Sequence, residues 1–354
     1  MSFGENIRLR RQVLQISLRD LAKQIDVSHA TVDKWEKNIL VPNSQALIKI
    51  SKALQVPVGT LMRPESQQVQ LSHIAFRAKK MPKRDEQRIN AETKEWLERY
   101  LMAEQLAGRP RIFEMPAGFP RTISSFDEAE EAARDLRATW DLGTDPIDNL
   151  TSLLEDKGIK IGIIRGITQF DALFTEYAGH RVIVMKENLP RGRQRFSLAH
   201  ELGHCLLDVR GEIKEEKAMH RFAGALLVPR EKVFFELDET RHKLSVKELM
   251  ILKQKYGFSM GAWLYRAMEL GIIIPEDYLA ARKYFIKRHW NRTEPGDDTE
   301  KGERPALMET MVLQSHAEGI ISTSKAAELL NQSISTFCSV DGETGIECSA
   351  LLCT

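Results

Sequence analysis

The chain has 354 residues, 42% of them hydrophobic and 29% charged, with a net charge of +1. That is the balance of a soluble globular protein of roughly two to three domains, and with no long apolar run it excludes a membrane-spanning helix. The four cysteines, Cys205, Cys338, Cys348 and Cys353, form no Cys-x-x-Cys pair and no disulfide framework. Met1-Ser2-Phe3-Gly4-Glu5 lacks the charged start and apolar core of a secretory signal, so a cytoplasmic location is expected.

Charge is spread unevenly. Residues 1–63 carry ten basic and five acidic residues, whereas the remainder carries 41 and 45. A small basic domain on a mildly acidic body has the form of a nucleic-acid-binding module, although many solvated helical faces are equally basic. The apolar spacing here is helical. Phe3, Ile7, Val13 and Leu14 mark a first helix. Ser17-Leu18-Arg19-Asp20, a capping box with Asp in place of Glu, opens a second whose inner face is Leu18, Leu21, Ala22 and Ile25. Asp26-Val27 is the turn. Ser28 caps a third helix with Val32 and Trp35 inward. Pro42-Asn43-Ser44 starts a fourth, and Pro57 opens a short fifth that ends before Pro64.

Two helices around a tight turn make a helix-turn-helix, whose second helix fits the ~12 Å major groove of DNA. The positions that helix exposes include Ser28, His29, Thr31, Asp33 and Lys34, with His29, Asp33 and Lys34 best suited to base edges. Arg19 and Lys37 suit phosphates, which position without specifying. The competing reading is a five-helix bundle for protein contact or dimerisation. Ser17 through Gly59 resembles the XRE (Cro/CI-like) repressor family through Leu21-Ala22, Val27-Ser28 and Trp35-Glu36. The resemblance implies a lambda-repressor-like fold over 1–63 and a double-stranded DNA operator as partner. Two positions depart from the family. Leu18 stands where it usually has a phosphate-gripping Gln, and Lys37-Asn38 displaces its Gly after Trp-Glu.

Residues 64–120 hold five prolines around one amphipathic helix, Arg84 to Leu106, with Trp96, Leu97, Tyr100 and Leu101 on one side. This helical linker is either a spacer packed on its neighbours or a dimerisation surface, and a homodimer is left open. From Phe126 the chain changes character. Phe126 to Trp140 reads as a helix, and Asp145-Pro146-Ile147 opens another ending near Lys157-Gly158. Ile159 to Ile164, Asp171 to Phe174 and Arg181 to Met185 read as strands of a small sheet, the last of them an edge strand.

Next comes His200-Glu201-Leu202-Gly203-His204 on an amphipathic helix. Residues four apart share a helical face, so both histidines can address one metal, and Glu201 is placed to take a proton from a water there. A catalytic zinc needs three protein ligands and one open position. Arg210 occupies the place of a third histidine, which leaves a carboxylate from the following helical run, Lys217 to Val228. Glu216 precedes the apolar face of Ala223, Leu226 and Leu227 by seven residues, two turns, and so shares its side. Glu212 and Glu215 are expected in solvent. Periodicity alone leaves Glu216 balanced between a ligand and an exposed charge.

Arg195 through His204, followed by Glu216-Lys217, Arg221-Phe222-Ala223 and Leu226-Leu227-Val228-Pro229, resembles the ImmA/IrrE family of metallopeptidases over about residues 140–275. The resemblance implies zinc as cofactor and Glu216 as third ligand. The family's usual Asn four residues after that Glu is His220 here, read first as a group supporting a ligand, with an oxyanion donor and a competing ligand as the other two readings. A helical pair, Val246 to Lys255 and Ser259 to Leu270, completes that domain. Residues 288–305 are polar with no apolar face. Ala306 to Leu330 is helical again.

The expected fold is therefore mostly α with a small β-sheet. A five-helix helix-turn-helix domain (1–63) and a helical linker (64–120) precede an α+β zincin-like metallopeptidase domain (121–275). A flexible linker (276–305) and a small helical module (306–354) follow. The expected function is a DNA-binding regulator with zinc-dependent endopeptidase activity on a regulatory protein, a repressor or the chain itself. The alternative is a non-proteolytic regulator or antitoxin that uses the peptidase fold as sensor or scaffold.

Overall fold

The computed structural model describes residues 3–56, 58–62, 82–167, 170–297 and 302–343. Pro57, Arg63, the expected linker from 64 to 81, and Cys348 and Cys353 lie outside the described residues. The chain divides into two compact units, Met1–Leu101 with Glu176–Gly179, and Met102–Thr175 with His180–Thr354.

The first unit begins with α1 (Phe3–Val13), α2 (Leu18–Ile25), α3 (His29–Glu36), α4 (Ser44–Ala53) and α5 (Val58–Leu61). Ser17 caps α2 in a full capping box with Asp20, and Ser28 caps α3 by accepting from the Thr31 N–H. These caps satisfy N–H groups that a helix start leaves orphaned. Ile7, Leu21, Ile25, Val32, Trp35 and Ile50 form the core. A Cβ on Gly4 would lie 2.2 Å from the Trp35 carbonyl oxygen, so only glycine lets α1 pass the end of α3 this closely. Glu36 is buried and takes both arms of Arg11, at 2.6 and 2.8 Å. Asn38 has φ +57°, the left-handed conformation that glycine ordinarily supplies at a helix end. The displaced family glycine is thus replaced by a tolerated residue type one position on. Helix α6 (Lys83–Ala107) follows, and its Ile89, Leu97 and Tyr100 are buried.

The second unit contains β1 (Arg121–Ile123), α7 (Phe126–Thr139), α8 (Leu150–Asp156), β2 (Lys160–Ile164), β3 (Ala172–Tyr177) and β4 (His180–Lys186). It continues with α9 (Arg191–Leu206), β5 (Leu207–Val209), α10 (Glu215–Leu227), α11 (Arg230–Leu237), α12 (Val246–Tyr256) and α13 (Met260–Glu269). Its last elements are α14 (Pro275–Lys287), α15 (Leu307–Ala317), α16 (Thr323–Leu329) and α17 (Ile334–Glu343). The sheet has the order β2-β4-β3, with β2 parallel to β4 from Lys160↔Val182 to Ile164↔Lys186. The strand before the motif helix is thus central and not at the edge. Val182 through Met185 are all buried, which suits a strand covered on both faces. A second sheet pairs β1 with β5 in parallel, Arg121↔Leu207 to Ile123↔Val209.

Helices α7, α9 and α10 stack through Ala132, Leu136, Leu198, Leu202, Met219 and Phe222. Three further expectations need correction. Helix α8 starts at Leu150 under an Asn149 cap and not at Asp145. Helix α10 starts at Glu215, so Glu216 lies inside its first turn. The expected flexible linker at 276–305 contains the 13-residue α14, and Glu303 is only 6% exposed in an ion pair with Arg195. Buried ion pairs hold this polar stretch where an apolar face would otherwise be needed. No helix among the described residues is long and apolar enough to cross a membrane.

Candidate metal centre and nucleic-acid interface

The candidate metal centre lies where α9 meets α10. The approach depends on Gly203, because a Cβ there would sit 2.8 Å from the Met219 Sδ and 3.2 Å from Phe222. The close crossing brings α10's first turn over the two histidines. Ligand atoms of His200, His204 and Glu216 all lie within 4.8 Å of one another. His200 Nε2 is 3.4 Å from one Glu216 oxygen, and His204 Nε2 is 3.6 Å from the other. Both histidines are largely buried, at 12% and 15% side-chain exposure, and Glu216 is partly open at 41%. Two imidazoles and a carboxylate are the donor set of catalytic zinc sites. Two imidazole Nε2 atoms converging on one carboxylate present lone pairs and negative charge to a common point, which fits a cation. Among the described residues, nothing hydrogen-bonds to the buried Nδ1 of His200 on the far side of that ring.

The hydrogen bond with His200 and the neighbouring imidazoles hold the Glu216 carboxyl below its ordinary range. Burial pushes Glu201 the other way, although His200 and the Phe174 N–H oppose the rise. The two carboxyls are therefore split, one kept ionised beside the histidines and one readier to hold a proton. The backbone N–H of Phe174 on β3 donates to Glu201 Oε2 at 2.8 Å and fixes that carboxylate's orientation. His220 packs its ring against His200 and Phe196, with centroids at 4.9 and 5.5 Å. Burial, and then the charge of His200, lowers the pKa of His220. Cys205 faces the core, and burial pushes its thiol up to about 12, so it offers no thiolate here.

One expectation fails at this centre. Glu215, expected in solvent, is half-buried with Oε1 3.4 Å from His204 Nδ1. A carboxylate on the far ring nitrogen orients a metal-binding histidine and sets its tautomer. The helix begins two residues earlier than the apolar pattern indicates, which carries Glu215 over His204. Glu212 is exposed, as expected. The Phe174 N–H had no sequence signal, because a backbone donor carries no residue identity.

In the first unit, Arg19, Ser28, His29, Lys34 and Lys37 are exposed, and Thr31 and Asp33 are half-buried. Ser28 and Thr31 engage each other, hydroxyl to hydroxyl at 2.8 Å, as part of the α3 cap. Lys37 pairs with Asp33 at 2.8 Å across one turn. His29 and Lys34 stand at the outer surface of the second helix of the motif.

Residues 7–61 match the family model described as "Helix-turn-helix". Residues 154–268 match that described as "IrrE N-terminal-like domain", a peptidase family. Repressor protein C2 of Salmonella phage P22 is 32% identical over 80 residues, 23% of this chain and 36% of that protein. The HTH-type transcriptional regulator DicA of Escherichia coli (strain K12) is 38% identical over 69 residues, 19% of this chain and 51% of that protein. The chain thus spans about a third and a half of the curated relatives it matches. The crystal structure of ComR from Streptococcus suis overlaps 97% of this chain and 96% of that chain at 12% identity. Its TM-score is 0.17, too loose an overlap to bear on either unit.

Proposed function

We propose that this chain, with a helix-turn-helix domain at 7–61 and an IrrE N-terminal-like domain at 154–268, is a transcriptional regulator with its own endopeptidase. On this reading a zinc-dependent second unit cleaves a regulatory protein in the cytoplasm, either a repressor or another copy of this chain. The convergence of His200, His204 and Glu216 within 4.8 Å carries the reading. These three would hold zinc and leave a position for water or substrate. Zinc bound there lowers the pKa of a water from 15.7 to ~7 and polarises a carbonyl oxygen. Glu201 takes the proton of the attacking water and passes it to the departing amide nitrogen. Glu215 and His220 support the ligands, and Phe174 keeps Glu201 aimed. In the first unit, His29, Asp33 and Lys34 read bases of a double-stranded operator. Ser28 and Thr31 border that contact, and Arg19 and Lys37 meet phosphates. Domains at 1–63 and 121–275 and a homodimer matching two half-sites complete the proposal.

The test compares purified wild type, Glu201→Gln and His204→Ala by metal analysis, and the same variants by proteome-wide mass spectrometry in cells. Wild type and Glu201→Gln are expected to carry zinc, and His204→Ala to lose it. Proteins cleaved in the wild-type strain should accumulate intact with Glu201→Gln, with cleavage slowed about 10²–10⁴-fold. Identical protein patterns and equal reporter repression in both strains would make the second unit a metal-carrying scaffold.

A further inference from the structure

Beside the metal ligands, within the second unit, lies a cavity of about 380 Å³. Phe196, His220, Phe258, Ala262, Tyr265 and Trp290 give it aromatic and apolar walls. The charges around it are already engaged. Glu294 accepts from the N–H groups of Met260 and Gly261, both at 2.9 Å. Asp297 holds Lys253 at 2.5 Å, and Glu269 lies 3.4 Å from Arg221 and 3.5 Å from Arg266. Arg193 is tied to Asp171 at 2.6 Å. Rings and aliphatic groups make up the larger part of the wall, the paired charges the rest, and exposed Asn291 and Arg292 stand at the edge. A volume near the lower end of small-ligand pockets, which run ~300–1,000 Å³, suits one large side chain.

The cavity adjoins the metal centre through His220. His220 lines it, and the same ring lies 4.9 Å from that of His200. Phe196 stands one helical turn before His200 on α9 and packs on His220. A peptide with its scissile bond at the triad has its neighbouring side chain a few ångströms away, at the His220 wall. We propose that this cavity receives an aromatic or large aliphatic side chain flanking the scissile bond. The substrate class is then a protein segment with such a residue at the cut. This rests on the zinc-peptidase reading above. Aromatic side chains bury ~150–250 Å² each, so a fitted ring contributes heavily to selection.

The experiment uses the full chain loaded with zinc and the hydroxamates of alanine, leucine and phenylalanine, measured by titration calorimetry. The hydroxamate chelates the metal and the side chain reports on the cavity. Phenylalanine hydroxamate is expected to bind at least about tenfold tighter than the alanine compound, since one fitted methylene alone discriminates about 10-fold or more. Ala262→Trp, which fills the cavity, should erase that preference while zinc content and alanine hydroxamate binding persist. Ala262→Leu should reduce it by a smaller step and guards against a misfolded tryptophan variant. A flat series on zinc-loaded wild type overturns the cavity assignment and leaves the zinc reading standing. Wild type that takes up no zinc overturns the reading beneath it.

Discussion

Arg195 shows how much a single residue carries just upstream of the motif. Its side chain is 1% exposed, its guanidinium meets Glu303 at 3.1 Å, and it donates to the Ile147 carbonyl at 2.5 Å. The other Glu303 oxygen accepts from the Thr151 N–H at 2.8 Å and so restrains the start of α8. Removing one partner of a buried pair leaves the other charge desolvated and uncompensated, which costs about 3–5 kcal/mol. Glu303→Ala is therefore expected to lower stability by that order, read by urea unfolding with a probe in the second unit, while Glu303→Gln keeps an acceptor and loses less. A change below about 1 kcal/mol for the alanine variant would mean that water or another group takes over the arginine.

At the scale of elements, the centre depends on how closely α9 and α10 cross. Gly203 has no free space above it, with Met219 and Phe222 fully buried against it. Gly203→Val inserts a branched side chain into that contact and should cost about 1–3 kcal/mol as overpacking. Because Glu216 rides on α10, the same variant should weaken zinc binding as well, whereas a cavity mutation remote from the crossing should not. Chelator competition together with thermal melting checks both parts; lowered stability with unchanged zinc affinity would uncouple the crossing from the centre. This site was legible in the sequence to the extent that periodicity carried it. His200 and His204 are one turn apart on a patterned helix, and Glu216 was reachable by register from Ala223, Leu226 and Leu227. Glu215 was lost because apolar spacing does not mark where a polar first turn begins. The β1–β5 pair has three residues per strand, too short for alternation to register. The order around Glu294, Asp297 and Glu303 was hidden because buried ion pairs look, in a sequence, like solvated charge.

The whole chain is close to electroneutral, at +1, so pH dependence near neutrality falls to individual buried groups rather than to global repulsion. Glu155 is the clearest of these. It is 4% exposed and accepts from the backbone N–H groups of Ala306 and Leu307, which ties the start of α15 to the end of α8. Burial pushes its carboxyl up from the ordinary 4.5 to about 7, the nearby Asp156 adds to the rise, and the two N–H donors and Arg111 oppose it. The folded chain therefore keeps a proton that the unfolded chain releases between pH 4.5 and about 7. Below that window both forms are protonated and burial carries no penalty. Through it, stability falls as pH rises, and above it the loss is complete. At 1.36 kcal/mol per unit, the loss is of order 3 kcal/mol. Glu269 and Glu294 are also raised by burial and add to the same trend. Glu155→Gln removes one titration while retaining an acceptor for the α15 N–H groups. Urea unfolding at pH 5 and pH 8 should show wild type losing more stability across the interval than the glutamine variant, with the gap between them opening toward alkaline pH. Parallel losses in the two proteins would assign the trend to Glu269 and Glu294, and would mean that the Glu155 carboxyl is already ionised at pH 5 under its N–H donors.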